Sequence, residues 1–102
     1  DIRLNSPTFG QHITIELNED NKKQLFIPSG LAHGFLVLSD TAIFSYKTDN
    51  YYAHTHERGI AYNDEKLSID WLMPIKDLYL SNKDKSQPLF SHTDDFPTFK
   101  LK

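Results

Sequence analysis

Two ionisable side chains stand among apolar residues in the stretch from Gln24 to Tyr52, and they are the first candidates for chemistry. His33 follows a proline–glycine turn, and Tyr46 ends a run of β-branched and aromatic residues. Phenols have a pKa of about 10, so a tyrosine is protonated at neutral pH and can donate a proton to a carbanion or enolate. Side chains with a polar end group, held among apolar neighbours on rigid strands, are typical of a small-molecule site.

A polar and aromatic loop at 47–58 holds further candidates. His54 and His56 form a His-x-His pair that could ligate a metal, although a solvated surface pair is the expected arrangement in such a loop. From the residues alone, Glu57 is interpreted as a surface partner for Arg58, which would contribute little stability.

The run from Ser81 to Asp84 is typical of a helix start. Ser81 is the predicted N-cap, and Asp84 stands three residues on, at the position of a capping partner. Lys83 and Asp84 would then be solvent-facing charges at the start of that helix. This local pattern predicts one short helix near the C-terminus.

Strands and turns are expected to position these residues. Alternating apolar residues in HITIEL and clusters of Phe, Leu, Val and Ile predict strands, whereas Asn18 to Lys22, Pro28 to Gly30 and the Ser39–Asp40 pair predict turns. Tyr51 and Tyr52 are expected to be anchored against the sheet. The predicted strands cover residues 12–17, 25–27, 32–38, 41–46, 59–62 and 67–71.

Composition narrows the class of protein. At 102 residues the chain is one domain at most, and its net charge of −3 with interspersed signs argues against a nucleic-acid partner. The absence of cysteine from the sequence excludes a disulfide scaffold and a thiolate zinc site. The apolar runs are too short to cross a bilayer and no signal peptide opens the chain, so a cytoplasmic protein without a membrane partner is expected.

The spacing of Pro28, Gly30 and His33 resembles a motif of the cupin β-barrels. The longer run KQLFIPSGLAHGFLVLSDTAIFSYKTDNYY, followed by HERGIAYND, IDW and LSNKD, resembles the C-terminal half of the dTDP-4-dehydrorhamnose 3,5-epimerase family. This resemblance implies an all-β fold, namely part of a cupin-like double-stranded β-helix or jelly-roll barrel with a short C-terminal helix. It covers residues 1–88 as the epimerase-like domain and leaves 89–102 as a poorly ordered or docking tail.

The resemblance also implies an isomerase. The family's substrate is a 4-keto-6-deoxyhexose carried on thymidine diphosphate, for dTDP-L-rhamnose and polysaccharide biosynthesis. A base removes the proton next to the ketone from one face, and an acid returns a proton to the opposite face, at C3 and at C5. The reaction needs neither a metal nor a redox cofactor. The family forms homodimers that exchange edge strands, so a homodimer is expected.

Site roles follow from the same resemblance. Tyr46 matches the family's proton donor, and Asp84 matches the aspartate that orients the catalytic histidine as a base. His33, Glu57 and Lys83 match residues that contact substrate. For Asp84 the capping role and the catalytic role compete for the same oxygens, and both stay open. The base itself belongs to an N-terminal half that has no counterpart in these 102 residues, so we expect them to be part of a longer chain.

Three alternatives remain at this point. One is a relative that inverts only C3, because it would share nearly all of these motifs. Another is a non-catalytic nucleotide-sugar-binding module on the same barrel, which could be a degenerate relative of the enzyme. The third is a metal-dependent cupin with His33 and His12 as ligands, but no His-x-His pair precedes His33 to complete such a site.

Overall fold

The computed structural model describes residues 1–93 and 95–100. In these residues the regular elements are short. Helix α1 covers Asn82–Lys85, and single 3-10 turns cover His54–His56, Ile75–Asp77 and Phe90–His92. An isolated parallel bridge joins Leu4 to Thr98.

Helix α1 begins where the sequence predicts it. Ser81 has an extended backbone, and its Oγ accepts a hydrogen bond from the N–H of Asp84 at 3.1 Å. This bond satisfies one of the N–H groups that a helix start leaves without an intrahelical partner. The predicted short C-terminal helix is therefore confirmed, with Ser81 as its N-cap.

The prediction of an all-β barrel is not confirmed, because the described residues form no β-ladder beyond the Leu4–Thr98 bridge. The reason is visible in the exposed fractions of the apolar side chains, which reach 77% at Ile13, 86% at Phe26 and 98% at Ile43. A strand is stabilised by cross-strand pairs and by a covered apolar face. The alternating sequence pattern specifies which face would be covered but does not supply the covering partner.

Turns that rest on local chemistry do form. Leu31 N–H donates to Pro28 O at 3.4 Å, and Gly30 has a φ of +88°, which fits the third position of a type II turn. The expected polar turn from Asn18 to Lys22 closes with Lys22 N–H donating to Asn18 O at 3.1 Å. Both predicted turns are confirmed.

Around the Ser39–Asp40 bend the flanking segments run side by side. The rings of Phe35 and Phe44 stack with centroids 4.2 Å apart, and Tyr46 lies 5.3 Å from Phe44. The Phe35–Phe44 contact crosses between the two segments, whereas Phe44 and Tyr46 lie in the same segment. No backbone hydrogen bond joins residues 32–38 to residues 41–46. Side-chain packing alone therefore holds this pair.

The two ends of the chain pack against each other. Leu4 N–H donates to Pro97 O at 2.7 Å, and Phe99 N–H donates to Leu4 O at 2.8 Å. Nearby, three aromatic rings meet with centroid distances between 5.1 and 5.4 Å. These rings belong to Phe9, Phe90 and Phe96. Phe90 and residues 96–99 of the predicted tail thus contact Leu4 and Phe9, whereas Asp94, Leu101 and Lys102 of that tail lie outside the described residues.

The buried carboxylate of Asp64 joins two segments of the chain by hydrogen bonds. Asp64 is only 4% exposed, and its carboxylate accepts N–H groups from Phe90 at 2.7 Å, Lys66 at 2.8 Å and Leu67 at 3.4 Å. The hydrogen bond from Phe90 is the main cause that holds the pKa of Asp64 below its usual range. Asp64 therefore fixes the segment around Phe90 to the turn that follows Asn63.

Packing elsewhere is loose. Among the described residues Ala61 is the only buried hydrophobic residue. The radius of gyration is 14.7 Å, whereas a compact domain of this length has about 13 Å. Across residues 1–93 and 95–100, no helix has both the length and the apolar character needed to cross a membrane.

Candidate functional site

The central contact of the candidate site is an ion pair between Glu57 and Lys83. The Glu57 Oε2 atom accepts a hydrogen bond from the Lys83 ammonium. Glu57 follows the His54–His56 turn, and Lys83 lies in α1, so two short helical elements bring these charges together. The Glu57 side chain is 28% exposed and that of Lys83 is 60% exposed. Both ends of the pair can therefore reach a ligand.

Electrostatics in this pair keep both groups charged. Hydrogen bonds from Lys83 and Tyr52 hold the pKa of the Glu57 carboxyl below its usual range. The hydrogen bond to Glu57 raises the pKa of the Lys83 ammonium. At neutral pH the site thus presents a carboxylate and an ammonium side by side, which suits a ligand rich in hydroxyl and phosphate oxygens.

Tyr52 and His54 extend the pair into a four-residue cluster, which we call the Glu57 cluster: Tyr52, His54, Glu57 and Lys83. The Tyr52 Oη atom lies 3.3 Å from His54 Nδ1, and that same nitrogen lies 3.7 Å from Glu57 Oε2. Hydrogen bonding to Glu57 is the main cause that raises the pKa of Tyr52. Tyr52 is 76% exposed and Tyr51 is 96% exposed, so the prediction that these tyrosines are anchored against a sheet is wrong.

Sequence reasoning did not assign Tyr52 and His54 to the site. The available signal was the spacing of His54 and Glu57, because side chains three residues apart share one face of a helical turn. A polar loop gives no indication of helical geometry, so this spacing does not by itself predict the cluster. Tyr52, which lies two residues before His54 next to the extended Ala53, completes the cluster.

Arg58 pairs with a different acid from the one that the sequence suggested. Its Nε atom donates to Asp95 Oδ2 at 3.1 Å, and its Nη1 atom donates to the backbone oxygen of Glu57 at 2.8 Å. The surface pairing of the Arg58 and Glu57 side chains is therefore not formed. The Glu57 carboxylate instead forms its ion pair with Lys83.

An open groove of about 330 Å³ lies beside Glu57. Gly59 and Gln87 approach so closely in its wall that a side chain at position 59 would clash with the Gln87 amide. His92 also lines the groove. The groove is within the size range of small-ligand sites, and Glu57 is the residue that it shares with the Glu57 cluster.

Two other predicted site residues, His33 and Tyr46, lie outside the Glu57–Lys83 ion pair. His33 is exposed, and its ring makes no hydrogen bond to the described residues. Tyr46 is 71% exposed, and it lies near enough to Tyr52 to contribute to the raised pKa of that residue, behind the larger effects of Glu57. The structure therefore brings together Glu57 and Lys83 but neither His33 nor Tyr46 by direct contact.

Asp84 contributes its backbone rather than its carboxylate to the helix cap. The cap uses Ser81 Oγ and the Asp84 N–H, and within the described part of the chain the Asp84 carboxylate accepts no hydrogen bond. Its charge contributes to the raised pKa of Lys83, after the larger effect of Glu57. Capping and side-chain chemistry at Asp84 are thus compatible, since they use different atoms.

No group of three or more histidine, aspartate or glutamate side chains is arranged to hold a metal ion in residues 1–93 and 95–100. His54 and His56 differ in their surroundings, because only His54 contacts the acid of the cluster. The paired charges beside a groove define a candidate site for a polar organic ligand.

Comparison with known proteins identifies the family. A family model described as dTDP-4-dehydrorhamnose 3,5-epimerase matches residues 1–92. The chain therefore belongs to the dTDP-4-dehydrorhamnose 3,5-epimerase family, as its motifs predicted. The match includes Glu57 and Lys83.

Individual relatives carry the same name. The protein of Shigella flexneri is 48% identical over 96 residues, which cover 94% of this chain and 52% of that protein. The relative from Pseudomonas aeruginosa is 49% identical over 98 residues, covering 95% and 53% respectively. The Escherichia coli protein is 54% identical over 85 residues, covering 83% and 45%. The chain thus spans about half the length of the curated relatives it matches. No solved structure matches it.

Proposed function

We propose that this chain forms part of an isomerase that inverts C3 and C5 of a dTDP-4-keto-6-deoxyhexose, for dTDP-L-rhamnose biosynthesis. The observation that carries the proposal is family membership over residues 1–92, which include the Glu57–Lys83 ion pair. The names of the relatives from S. flexneri, P. aeruginosa and E. coli support the same activity.

The chemistry begins at a carbon next to the ketone. The proton there is acidified because the carbanion left behind delocalises into an enolate. A base takes this proton from one face, and Tyr46 donates a proton to the opposite face, which inverts the centre. Asp84 orients the basic histidine, and its carboxylate is available because the helix cap uses its N–H. Repeating the exchange at the second carbon completes the reaction.

Glu57, Lys83 and His33 act on the substrate without taking its proton. The Lys83 ammonium offers charge and donors to the oxygens of the sugar nucleotide, and the Glu57 carboxylate accepts from sugar hydroxyl groups. Holding the sugar in one orientation is what allows acid and base to act on opposite faces. His33 is proposed as a further polar contact from the segment after the Pro28–Gly30 turn.

We propose the cupin-like barrel for the complete protein, because residues 11–46 carry exposed apolar side chains that a sheet partner would cover. A homodimer in the cytoplasm is part of the same proposal. Static light scattering that gave a monomer at micromolar concentration would contradict the homodimer. Fractionation of the source cells would test the location.

Solvent deuterium uptake tests the activity. The protein as its natural gene encodes it is incubated with the nucleotide sugar in D₂O, and NMR reports deuterium and configuration at C3 and C5. We expect both positions to be labelled and inverted, with Tyr46→Phe lowering the rate by about 100-fold or more. Tyr79→Phe is the matched control, since Tyr79 is a fully exposed tyrosine outside the proposed site.

The result also separates the alternatives. Inversion confined to C3 would replace the assignment with a 3-epimerase. If no deuterium enters the sugar while the nucleotide sugar still binds, and Tyr46→Phe leaves its affinity unchanged, the protein is a binding module instead.

A further inference from the structure

Gly59 and the side chain of Gln87 pack against each other in the wall of the groove beside Glu57. A Cβ atom at position 59 would lie 2.5 Å from Gln87 Oε1 and 2.8 Å from Gln87 Nε2, so any other residue there would displace the amide. The φ of Gly59 lies outside the positive range that favours glycine. Space for the Gln87 amide, rather than backbone conformation, is therefore the reason for a glycine at this position.

Two hydrogen bonds hold the backbone next to Gln87 in place. Ala61 N–H donates to Pro88 O at 2.8 Å, and Phe90 N–H donates to Asp64 Oδ2 at 2.7 Å. Ala61 and Asp64 are both buried. Because Pro88 directly follows Gln87, these bonds anchor the chain on the side of the groove that carries the amide. An anchored backbone limits the positions that a ligand-binding side chain can take.

The Gln87 amide has hydrogen-bonding capacity to offer a ligand. Gln87 is half-buried and lines the groove, and its amide makes no hydrogen bond to the described residues. A primary amide carries two N–H donors and a carbonyl oxygen that accepts. Gln87 can therefore donate to and accept from the same ligand.

The charges that line the groove are already paired. Glu57 forms its ion pair with Lys83, and Arg58 Nε donates to Asp95 Oδ2 at 3.1 Å. Compensated charges and a neutral amide favour a neutral polar ligand over a free anion. Hydroxyl groups both donate and accept hydrogen bonds, which matches the amide and the Glu57 carboxylate. The groove therefore suits a ligand with several hydroxyl groups.

We propose that Gln87 is a ligand-binding residue whose amide hydrogen-bonds the hydroxyl groups of a sugar in this groove, in the space that Gly59 provides. Glu57 accepts from one sugar hydroxyl, and Gln87 binds a neighbouring one. The assignment of the sugar to a dTDP-sugar rests on the proposed function, but the contact between Gly59 and Gln87 does not.

Calorimetric binding of two ligands tests the proposal, with the protein as its natural gene encodes it. Thymidine diphosphate glucose carries sugar hydroxyls without a ketone, so it binds without being epimerised, and thymidine diphosphate lacks the sugar. Gln87→Met keeps the length of the side chain and removes the amide. We expect it to weaken thymidine diphosphate glucose about 10-fold and to change the affinity for thymidine diphosphate by less than about twofold. Gln24→Met is the matched control, since Gln24 is exposed and lies outside the groove.

Gly59→Ala tests the space that the amide needs. The amide is the end of a flexible side chain, so the added methyl group displaces it without unfolding the protein. We expect Gly59→Ala to weaken thymidine diphosphate glucose as Gln87→Met does. Combined with Gln87→Met it should cause no further loss, because both substitutions then remove the same contact.

Three outcomes overturn the proposal. One is a Gln87→Met variant that weakens both ligands equally or neither. Another is a full additional loss when Gly59→Ala is combined with Gln87→Met. The third is an unsubstituted protein that binds thymidine diphosphate glucose no more tightly than thymidine diphosphate.

Deuterium uptake separates this inference from the proposed function. If no deuterium enters the 4-keto sugar while Gln87→Met specifically weakens thymidine diphosphate glucose, the proposed function fails and the Gln87 contact holds. If both sugar carbons exchange and invert while Gln87→Met binds both ligands as the unsubstituted protein does, the proposed function holds and the Gln87 contact is overturned.

Discussion

Glu57 and Lys83 are 26 positions apart in the chain, and their side chains form a direct ion pair between a 3-10 turn and helix α1. Each residue belongs to a different motif of the epimerase family, HERGIAYND for Glu57 and LSNKD for Lys83. The pair therefore gives the two motifs a shared physical location. It also gives the substrate-binding proposal a contact that mutation can test.

Replacing Lys83 by glutamine is expected to impair substrate binding. The substitution removes the ammonium that would hold the nucleotide sugar and the donor that Glu57 now accepts from. Because a hydrogen bond to a charged group is stronger than a neutral one, we expect KM to rise about 10-fold or more in steady-state kinetics. Stability should change little, since exposed ion pairs contribute little to folding.

Lys85→Gln is the control for this experiment. Lys85 carries the same charge in the same helix, and its side chain makes no ion pair with the described residues. Equal effects of the two substitutions would mean that helix charge, rather than the contact with Glu57, is responsible.

Replacing Gly30 by alanine is expected to destabilise the fold. Gly30 has a φ of +88°, and a Cβ atom there would lie 2.8 Å from Arg3 Cγ. Backbone strain and this clash together should lower the free energy of unfolding by about 1 to 3 kcal/mol, measured by urea denaturation.

Gly34→Ala is the control, because a Cβ atom at Gly34 meets nothing within 4 Å and its φ lies outside the positive range. We expect it to change the free energy of unfolding by less than about 0.5 kcal/mol. Should both variants be equally stable, the turn geometry at Gly30 would be wrong.

Acid sensitivity should depend on Asp64. The N–H donors from Phe90, Lys66 and Leu67 hold its folded-state pKa below the unfolded value. The resulting stabilisation is complete above the unfolded pKa of about 4 and is lost as pH falls through the lower folded pKa. Asp64→Asn should therefore lower Tm at pH 7, and the difference from the unsubstituted protein should shrink below about pH 4.

Thermal unfolding followed by circular dichroism at pH 7 and at pH 3 checks this prediction. Asp40→Asn serves as the comparison, since Asp40 is exposed in a bend and accepts no hydrogen bond from the described residues. A Tm difference for Asp64→Asn that is the same at both pH values would contradict the linkage.

Local features of this fold could be predicted from the sequence. The N-cap at Ser81, the turn at Pro28–Gly30 and the polar turn after Asn18 each depend on residues a few positions apart. Their determinants are the backbone preferences of Gly and Pro and the short hydrogen bonds of Ser and Asn. Such determinants are contained within the segment itself.

Features that depend on distant partners could not be predicted in the same way. The sequence suggested Arg58 as the partner of Glu57, but the partner is Lys83, from another element. The expected strands at 32–38 and 41–46 meet through Phe35 and Phe44 without a ladder, because pairing needs a neighbour that periodicity does not identify. The site residues Glu57 and Lys83 came from family motifs, and their contact came only from the structure.

The bridge between Leu4 and Thr98 has a consequence for the order of folding events. It joins nearly the whole described chain into one closed loop, together with the packing of Phe9 against Phe90 and Phe96. Closing so long a loop costs entropy before the contact is made, so this contact is expected to form after the local turns. Substitutions in the Phe9 cluster should therefore accelerate unfolding more than they slow folding, which corresponds to low φ-values.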